Sequence, residues 1–525
     1  MKKIKNIVIV GGGTAGWTAA CYLRDTTPPY IKITVIASEE IPIIGVGEST
    51  TGLFNHFLKQ VGIPEGVFMK ETGATHKIGI QHRDWYKKGE HFNSPIGEFL
   101  NTPNSYPSDD YDAMKMYAVA ENLKNSSLQG FCMKHNKLPF VRADHPANNP
   151  YKKLMGYGGY KDLRKNNTAL HLDTYKTGKF LKKFVLSKHN IEYIDDEVLG
   201  YEKNEDETIK SVWCKKRGHD KPISGDLFVD CSGFKRILLK SYNNYFKRYD
   251  DQLLNNRALA FHLPYTDKTI IRNYTHAWAQ KYGWLWMIPL QERYGAGYCF
   301  NDSFTTADEA KLEIEKVLKT KIEVQKDIKF HSGRFTKLWI KNVLSTGLSS
   351  AFIEPLEATS IHATLFQLKH WIQYYFTETT DFNNEALQTS YNDDMTNMWD
   401  AIKDFIVYHY ITPRNDTEYW KEASSHKRWS PQLMEKLAMW QTRTPRLVDF
   451  ARGNRNDFYH IDDNLWLNIS QGMNILDRDM VKRELKEYNL YESSKHQTKH
   501  ALEFFNYAQK NCVKTNDYYK HYVGQ

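Results

Sequence analysis

The sequence predicts an α/β protein with a Rossmann-like dinucleotide core, an antiparallel second sheet and a helical C-terminal region. Three observations predict it. An apolar run, Ile7-Val8-Ile9-Val10, opens directly into Gly11-Gly12-Gly13-Thr14-Ala15-Gly16. Between Ala258 and Phe304 polar and apolar residues alternate with the period of a half-buried strand. Beyond residue 360 the apolar residues step by threes and fours, as one face of a helix does.

The elements follow in chain order. Residues 7–10 read as a buried strand, Ala15 to about Asp25 as a helix stopped by Pro28-Pro29, and Ile31 to Ile36 as a second strand. Together they make a βαβ opening of about 30 residues. Gly11, Gly13 and Gly16 stand at G-x-G-x-x-G spacing, which permits the turn, lets backbone approach a pyrophosphate and lets helix pack on strand. Residues 99–160, broken by Pro103, Pro107, Pro139, Pro146 and Pro150, read as an insertion over the active site. Leu227 to Phe234 reads as a strand entering a tight turn. Ile361, Leu365, Leu368, Ile372 and Tyr375 mark one amphipathic helix; Leu387, Tyr391, Met395, Met398, Ile402 and Phe405 mark another. The expected division is a core over 1–360 and a mainly helical, substrate-side region over 361–525.

Composition narrows the function. The net charge of +9 over 525 residues is small, and the basic residues are interspersed with acids, so no nucleic-acid stripe is present. The 33 Tyr and 13 Trp suit a core plus a pocket for a flat ligand. Six cysteines show neither metal-ligand nor disulfide-framework spacing, which points to no metal site and a cytoplasmic setting. The chain runs straight into a strand without a signal segment, and no apolar run approaches the ~20 residues that span a bilayer. No membrane is expected, and homo-oligomerisation is left open.

Trp284-Leu285-Trp286-Met287-Ile288-Pro289, Gly45-Val46-Gly47-Glu48-Ser49-Thr50 and Asp230-Cys231-Ser232-Gly233-Phe234 resemble elements of the flavin-dependent halogenases, in their tryptophan and indole branch. So do Lys77 in Ala74 to Ile80, Gly295 to Tyr298, Gly333-Arg334, Trp339, Asn342, Phe352 to Glu357, Asp404 to Tyr410, Arg414, Asp416 and Trp420. The resemblance implies an FAD-binding core of the flavin monooxygenase type. FAD works there as FADH2 with oxygen and halide (chloride, bromide or iodide), making hypohalous acid that passes to a separate chamber and halogenates an indole or other electron-rich arene. No second G-x-G-x-x-G occurs, so a separate flavin reductase is the expected partner.

The resemblance carries residue roles with it. Gly11, Gly13, Thr14, Ala15, Gly16, Gly47, Glu48, Ser49, Asp230 and Gly347 would hold FAD. The ribose acid position before Ser38 holds Ala37, and Glu39 or Glu40 would substitute. Lys77 would hold the oxidant, as a haloamine or as a hydrogen-bonding ammonium. Glu357, with Glu354 as rival, would stabilise the cationic arene intermediate and take its proton. Trp284, Trp286, Ile288 and Pro289 would partition flavin from substrate. Thr359 and Ser360 precede the helix that begins at Ile361, where amides favour a halide and where either hydroxyl could simply cap the helix. Ser360 replaces a family glycine. Phe458, Tyr459 and Trp466 are the expected aromatic contacts of the substrate. Two other functions compete: a flavin-dependent aromatic monooxygenase, and a non-catalytic FAD-binding protein.

Overall fold

A computed structural model describes residues 3–41, 47–97, 113–139, 168–266, 270–451, 461 and 463–520. The chain forms two compact units, each built from three separated stretches. The first comprises Met1–Gly73, Leu172–Asp250 and His331–Asp400; the second comprises Ala74–His171, Asp251–Phe330 and Ala401–Gln525. The boundary expected at residue 360 does not follow this division. The helix Thr359–Tyr374 packs on Thr14–Thr26 inside the first unit, and Glu385–Tyr408 runs past that unit's end.

The first unit is built on a six-stranded sheet in the order Trp339–Ile340, Val343–Ser345, Leu227–Asp230, Asn6–Val10, Lys32–Ala37, Ile191–Asp195. All neighbours are parallel except the first pair. Its central strands are apolar on both faces, as a doubly covered parallel sheet requires: Ile7, Val35 and Leu227 are buried, and so are their chain neighbours Val8, Ile36 and Phe228. Asn342 behaves as a piece of backbone, accepting from the Ile209 N–H and donating to the Ile209 carbonyl, both at 2.8 Å. Arg334 forms a two-pronged pair with Asp400 at 2.7 and 3.2 Å, and the Tyr249 hydroxyl donates to the same carboxylate at 2.6 Å.

The second unit carries a seven-stranded sheet in the order Val324–Lys329, Arg257–Pro264, Arg293–Phe300, Gly283–Pro289, Thr275–Ala279, Gly79–Arg83, His91–Pro95. It is antiparallel except where Thr275–Ala279 meets Gly79–Arg83. One face packs Leu259, Phe261, Leu285, Tyr298 and Phe300 against Ala310 and Ile314 of the helix Ala307–Leu318. That helix starts at a reciprocal Thr306–Glu309 capping box. Leu285 lies on this face, so Trp284 and Trp286 fall on the other.

The expected insertion is only partly described; 98–112 and 140–167 lie outside the described residues. Between them run two helices, Ala113–Ala120 and Leu128–His135, the second capped by Ser127 on the Gly130 N–H. No proline falls between Pro107 and Pro139, so the interruption read from the prolines does not reach this stretch.

Candidate functional site

In the first unit the chain leaves the Asn6–Val10 strand through three glycines that are not interchangeable. Gly11 sits at φ +116°, and a side chain there would meet the Cys231 carbonyl at 2.2 Å. At Gly16 a Cβ would lie 1.9 Å from the Gly11 carbonyl, so helix and turn touch backbone to backbone. A Cβ on Gly13 would meet nothing within 4 Å. Open space thus stands over the first turn of Thr14–Thr26, a helix whose N-terminus has no side-chain cap. Unpaired first-turn amides facing open space fit the pyrophosphate of a dinucleotide. Gly347, at φ +68°, brings the 347–349 turn onto that same first turn, where a Cβ would strike the Ala15 side chain at 2.6 Å.

Asp230 organises this end of the sheet. Its fully buried carboxylate accepts from the Ser232 N–H and hydroxyl (2.9 and 2.6 Å) and from the Leu238 N–H (2.8 Å). Its carbonyl accepts from the Ser349 hydroxyl at 2.5 Å and the Thr346 N–H at 3.0 Å. One residue therefore fixes both loops, and burial raises its pKa from the usual aspartate value against the opposing pull of its hydrogen bonds. Glu39 lies exposed, its carboxylate 2.7 Å from the Lys182 ammonium, which also sits over the Tyr193 ring. Gly47, Glu48 and Ser49 form a short strand in which burial pushes the Glu48 carboxyl up to about 7; Gly45 and Val46 lie outside the described residues.

Also in the first unit, Phe352 ends a strand and Pro355–Glu357 forms one 3₁₀ turn. Glu357 is buried, and so is Glu354. Ala358 adopts a left-handed conformation, φ 58°, and the following helix begins at Thr359, two residues earlier than the sequence spacing predicts. Ala358 occupies the cap position and no side chain caps the helix, so the capping role read for Thr359 or Ser360 is not taken up.

The second unit holds Lys77 on the strand Thr75–Lys77, which pairs with Ala169–Asp173. Lys77 is 2% exposed. Its strand is pinned on every side. The Ala74 carbonyl accepts from Gln291 at 2.8 Å, and the Ile78 N–H donates to the Asn273 carbonyl at 2.8 Å. Thr75 donates its hydroxyl proton to the Pro289 carbonyl at 2.6 Å, tying the lysine strand to the end of the aromatic strand. His171 Nδ1 lies 3.0 Å from the same hydroxyl oxygen, and His171 Nε2 lies 3.0 Å from the Thr275 hydroxyl. Since the Thr75 proton is committed to Pro289, His171 donates from Nδ1 and accepts at Nε2. The ring is neutral accordingly: burial first, then the Lys77 charge, holds its pKa well below the usual histidine value. His82 is depressed likewise by burial, then by His409 and Lys77.

Trp284 and Trp286 pack side by side with centroids 5.9 Å apart, and Trp85 packs on Trp284 at 6.4 Å. Gly297 lies directly across from Trp286, and a Cβ there would meet the indole at 2.2 Å; this explains the glycine in the 295–298 run. Ile288 is buried, and Pro289 ends the strand with its carbonyl on Thr75. Arg414 grips Asp416 at 3.0 and 3.2 Å and lies 4.1 Å over the Trp420 ring, an internal brace for this unit.

A cavity of about 270 Å³ opens beside these groups, walled by His82, Trp85, Phe92, Asn93, Asn468 and Arg478. His82 stacks on Phe92 at 4.8 Å, and Gly472 is needed because a Cβ would meet that phenyl ring at 2.2 Å. Trp466 packs among Phe405, Tyr408, Trp440 and Phe450 at 4.8–6.0 Å, as a ring of the helical core. Phe458 and Tyr459 lie outside the described residues. Sequence reading missed His82, His171 and the Thr75–Pro289 tether, since their meaning lies in contacts between distant segments. Among the described residues no helix is long and apolar enough to cross a membrane.

A family model described as tryptophan halogenase matches residues 6–488. The chain is 32% identical over 457 residues to tryptophan 6-halogenase ThaL of Streptomyces albogriseolus, covering 84% of this chain and 83% of that one. It is 32% identical over 458 residues to tryptophan 7-halogenase RebH of Lentzea aerocolonigenes, covering 84% and 82%. Among solved structures, Tar14, a tryptophan C-6 flavin-dependent halogenase (chlorinase) from taromycin biosynthesis, aligns with a TM-score of 0.86 at 25% identity, covering 99% and 100%.

Proposed function

Because this chain belongs to the tryptophan halogenase family, we propose that its Lys77 delivers hypohalous acid to an indole or similar electron-rich arene held in the second unit. The enzyme is a flavin-dependent halogenase, with FADH2 and halide as co-substrates and a separate flavin reductase as supplier. Bound FADH2 supplies the electrons with which oxygen converts halide to hypohalous acid. Gly11, Gly13, Thr14, Ala15 and Gly16 hold its pyrophosphate on the first turn of Thr14–Thr26, with Gly347 closing on that turn. Gly47, Glu48 and Ser49 flank the flavin, Glu39 serves the ribose, and Asp230 acts through the two loops it fixes.

The observation that carries the reading is Lys77 itself: a buried lysine on a strand whose neighbours are all anchored. As an ammonium it hydrogen-bonds the hypohalous oxygen and polarises the halogen toward the ring. Glu357 stabilises the cationic arene and accepts its proton. Trp284, Trp286, Ile288 and Pro289 keep the arene from the flavin, while the amides at Thr359 and Ser360 receive halide. The arene lies in the cavity walled by His82, Trp85 and Phe92, whose size, near the lower end of the ~300–1,000 Å³ usual for ligand pockets, admits one small aromatic.

Mass spectrometry of an indole and arene panel tests this, with FAD, a generic reductase, NADH, oxygen, and chloride, bromide or iodide in turn. A halogenated product that survives catalase and disappears in Lys77→Ala and Glu357→Gln is expected. Hydroxylated product independent of halide would assign oxygen insertion instead. A halide ranking identical in wild type and Ser360→Gly would remove Ser360 from halide selection.

A further inference from the structure

The family match ends at residue 488, yet the chain continues through the helix Tyr491–Asn511 and a short segment, Cys512 to Lys520. We propose that this segment is a strap that sets the position of Lys77, with Tyr519 as its positioning residue. The proposal rests on the assignment of Lys77 to oxidant delivery.

All the contacts lie within the second unit. The buried Tyr519 hydroxyl accepts a hydrogen bond at 2.7 Å from the backbone N–H of His76, one residue before Lys77 and 443 positions away in sequence. The His76 ring sits against Tyr518 edge-on at 5.1 Å and roughly parallel to Tyr519 at 6.5 Å. At its base the strap is tied to the turn after Leu128–His135. The Asn136 carbonyl accepts from the Thr515 N–H (3.2 Å) and hydroxyl (2.9 Å), and the Leu138 N–H donates to the Val513 carbonyl at 2.9 Å. Asn516 accepts from the Ile271 N–H at 3.0 Å.

The same turn reaches Lys77 from the other side. The Lys137 carbonyl accepts from Asn273 Nδ2 at 2.6 Å, and the Asn273 carbonyl accepts from the Ile78 N–H at 2.8 Å. Strap, turn and Asn273 therefore close a loop of hydrogen bonds around Lys77, attached at His76 and at Ile78. A rigid strand segment aims a four-carbon side chain far better than a tethered end on one side alone. Misplacing a catalytic group by a small distance costs rate out of proportion to the energy of the lost contact.

Tyr519→Phe removes the acceptor and keeps the ring. The readout is the ratio of halogenated arene to free hypohalous acid caught by a soluble trap, with chloride and bromide. A fold weakened overall lowers both products together and leaves the ratio unchanged; a misaimed Lys77 lowers the ratio alone. A fall of about tenfold in the ratio is expected for Tyr519→Phe, with FAD affinity unchanged, and a smaller fall in the same direction for Asn516→Ala. A wild-type ratio in Tyr519→Phe, alongside an inactive Lys77→Ala, overturns the strap's role. Halogenated product from Lys77→Ala overturns the assignment of Lys77 and the strap's role with it.

Discussion

Thr75→Val isolates the knot that joins the lysine strand to the aromatic strand. Valine has nearly the shape of threonine, so no cavity forms, and what disappears is one hydroxyl in a site with no solvent exposure. That hydroxyl donates to the Pro289 carbonyl at 2.6 Å and accepts from His171 Nδ1 at 3.0 Å. Both partners are left buried, and an unsatisfied buried polar group costs about 1–3 kcal/mol. The sum is roughly 2–6 kcal/mol against a typical domain stability of ~5–15 kcal/mol. His171 can escape part of this by moving its proton to Nε2 and donating to Thr275, which sets the expectation toward the lower half of the range. Thr75→Ser keeps the hydroxyl and loses one methyl, about 1 kcal/mol. Urea unfolding at pH 7.5, read at constant slope, measures both variants. Equal destabilisation by valine and serine, or a valine variant within about 1 kcal/mol of wild type, would refute the relay.

Three further outcomes follow from the geometry. Gly297→Ala drives a methyl into the Trp286 ring, where Leu259 backbone blocks retreat on the other side, so halogenation should fall at least tenfold while FAD binding persists; unchanged turnover would show that Trp286 does not need its place. Gly13→Ala should leave the melting temperature without cofactor near wild type but weaken FAD binding strongly, whereas Gly16→Ala should destabilise the protein itself, because only the latter clashes with backbone; calorimetry with and without FAD separates the two. Acid should weaken the second unit earlier than carboxylate titration predicts. His82 and His171 are held well below the histidine value and His276 is lowered to about 3, burial leading in each case. The unfolded chain takes up protons near ~6.5 and the folded one does not, so the stabilisation is complete above that pH and is lost as pH falls below it, at roughly 1.4 kcal/mol per ring per pH unit. A urea midpoint flat between pH 6.5 and 5.5 would contradict this.

Much of the fold was legible because its signals are local. The glycine spacing after Ile7–Val10 encodes a turn whose constraints act within six residues, and alternation along 283–289 placed both tryptophans on one face. The opposite holds for features made by distant contacts. Nothing near Glu39 announces Lys182, nothing near Trp466 announces its four ring neighbours, and His171 reads as one more strand residue until Thr75 and Thr275 are brought to its two nitrogens. The linear division at residue 360 was read from periodicity, which is real, yet periodicity does not say which sheet a helix covers.

The interleaving of the two units governs when each becomes complete during synthesis. The first unit needs residues up to Asp400 before its last stretch exists, while its first βαβ turn is made within the opening residues. The lysine strand emerges early but waits for Tyr519 before its final hydrogen bond can form. Chains fold as they emerge, and contacts of such long separation form last. A ribosome stalled near residue 500 would therefore carry every stretch of the first unit and a lysine strand still without its Tyr519 contact. The order of translation itself would complete the first unit before the lysine strand is fully tied down.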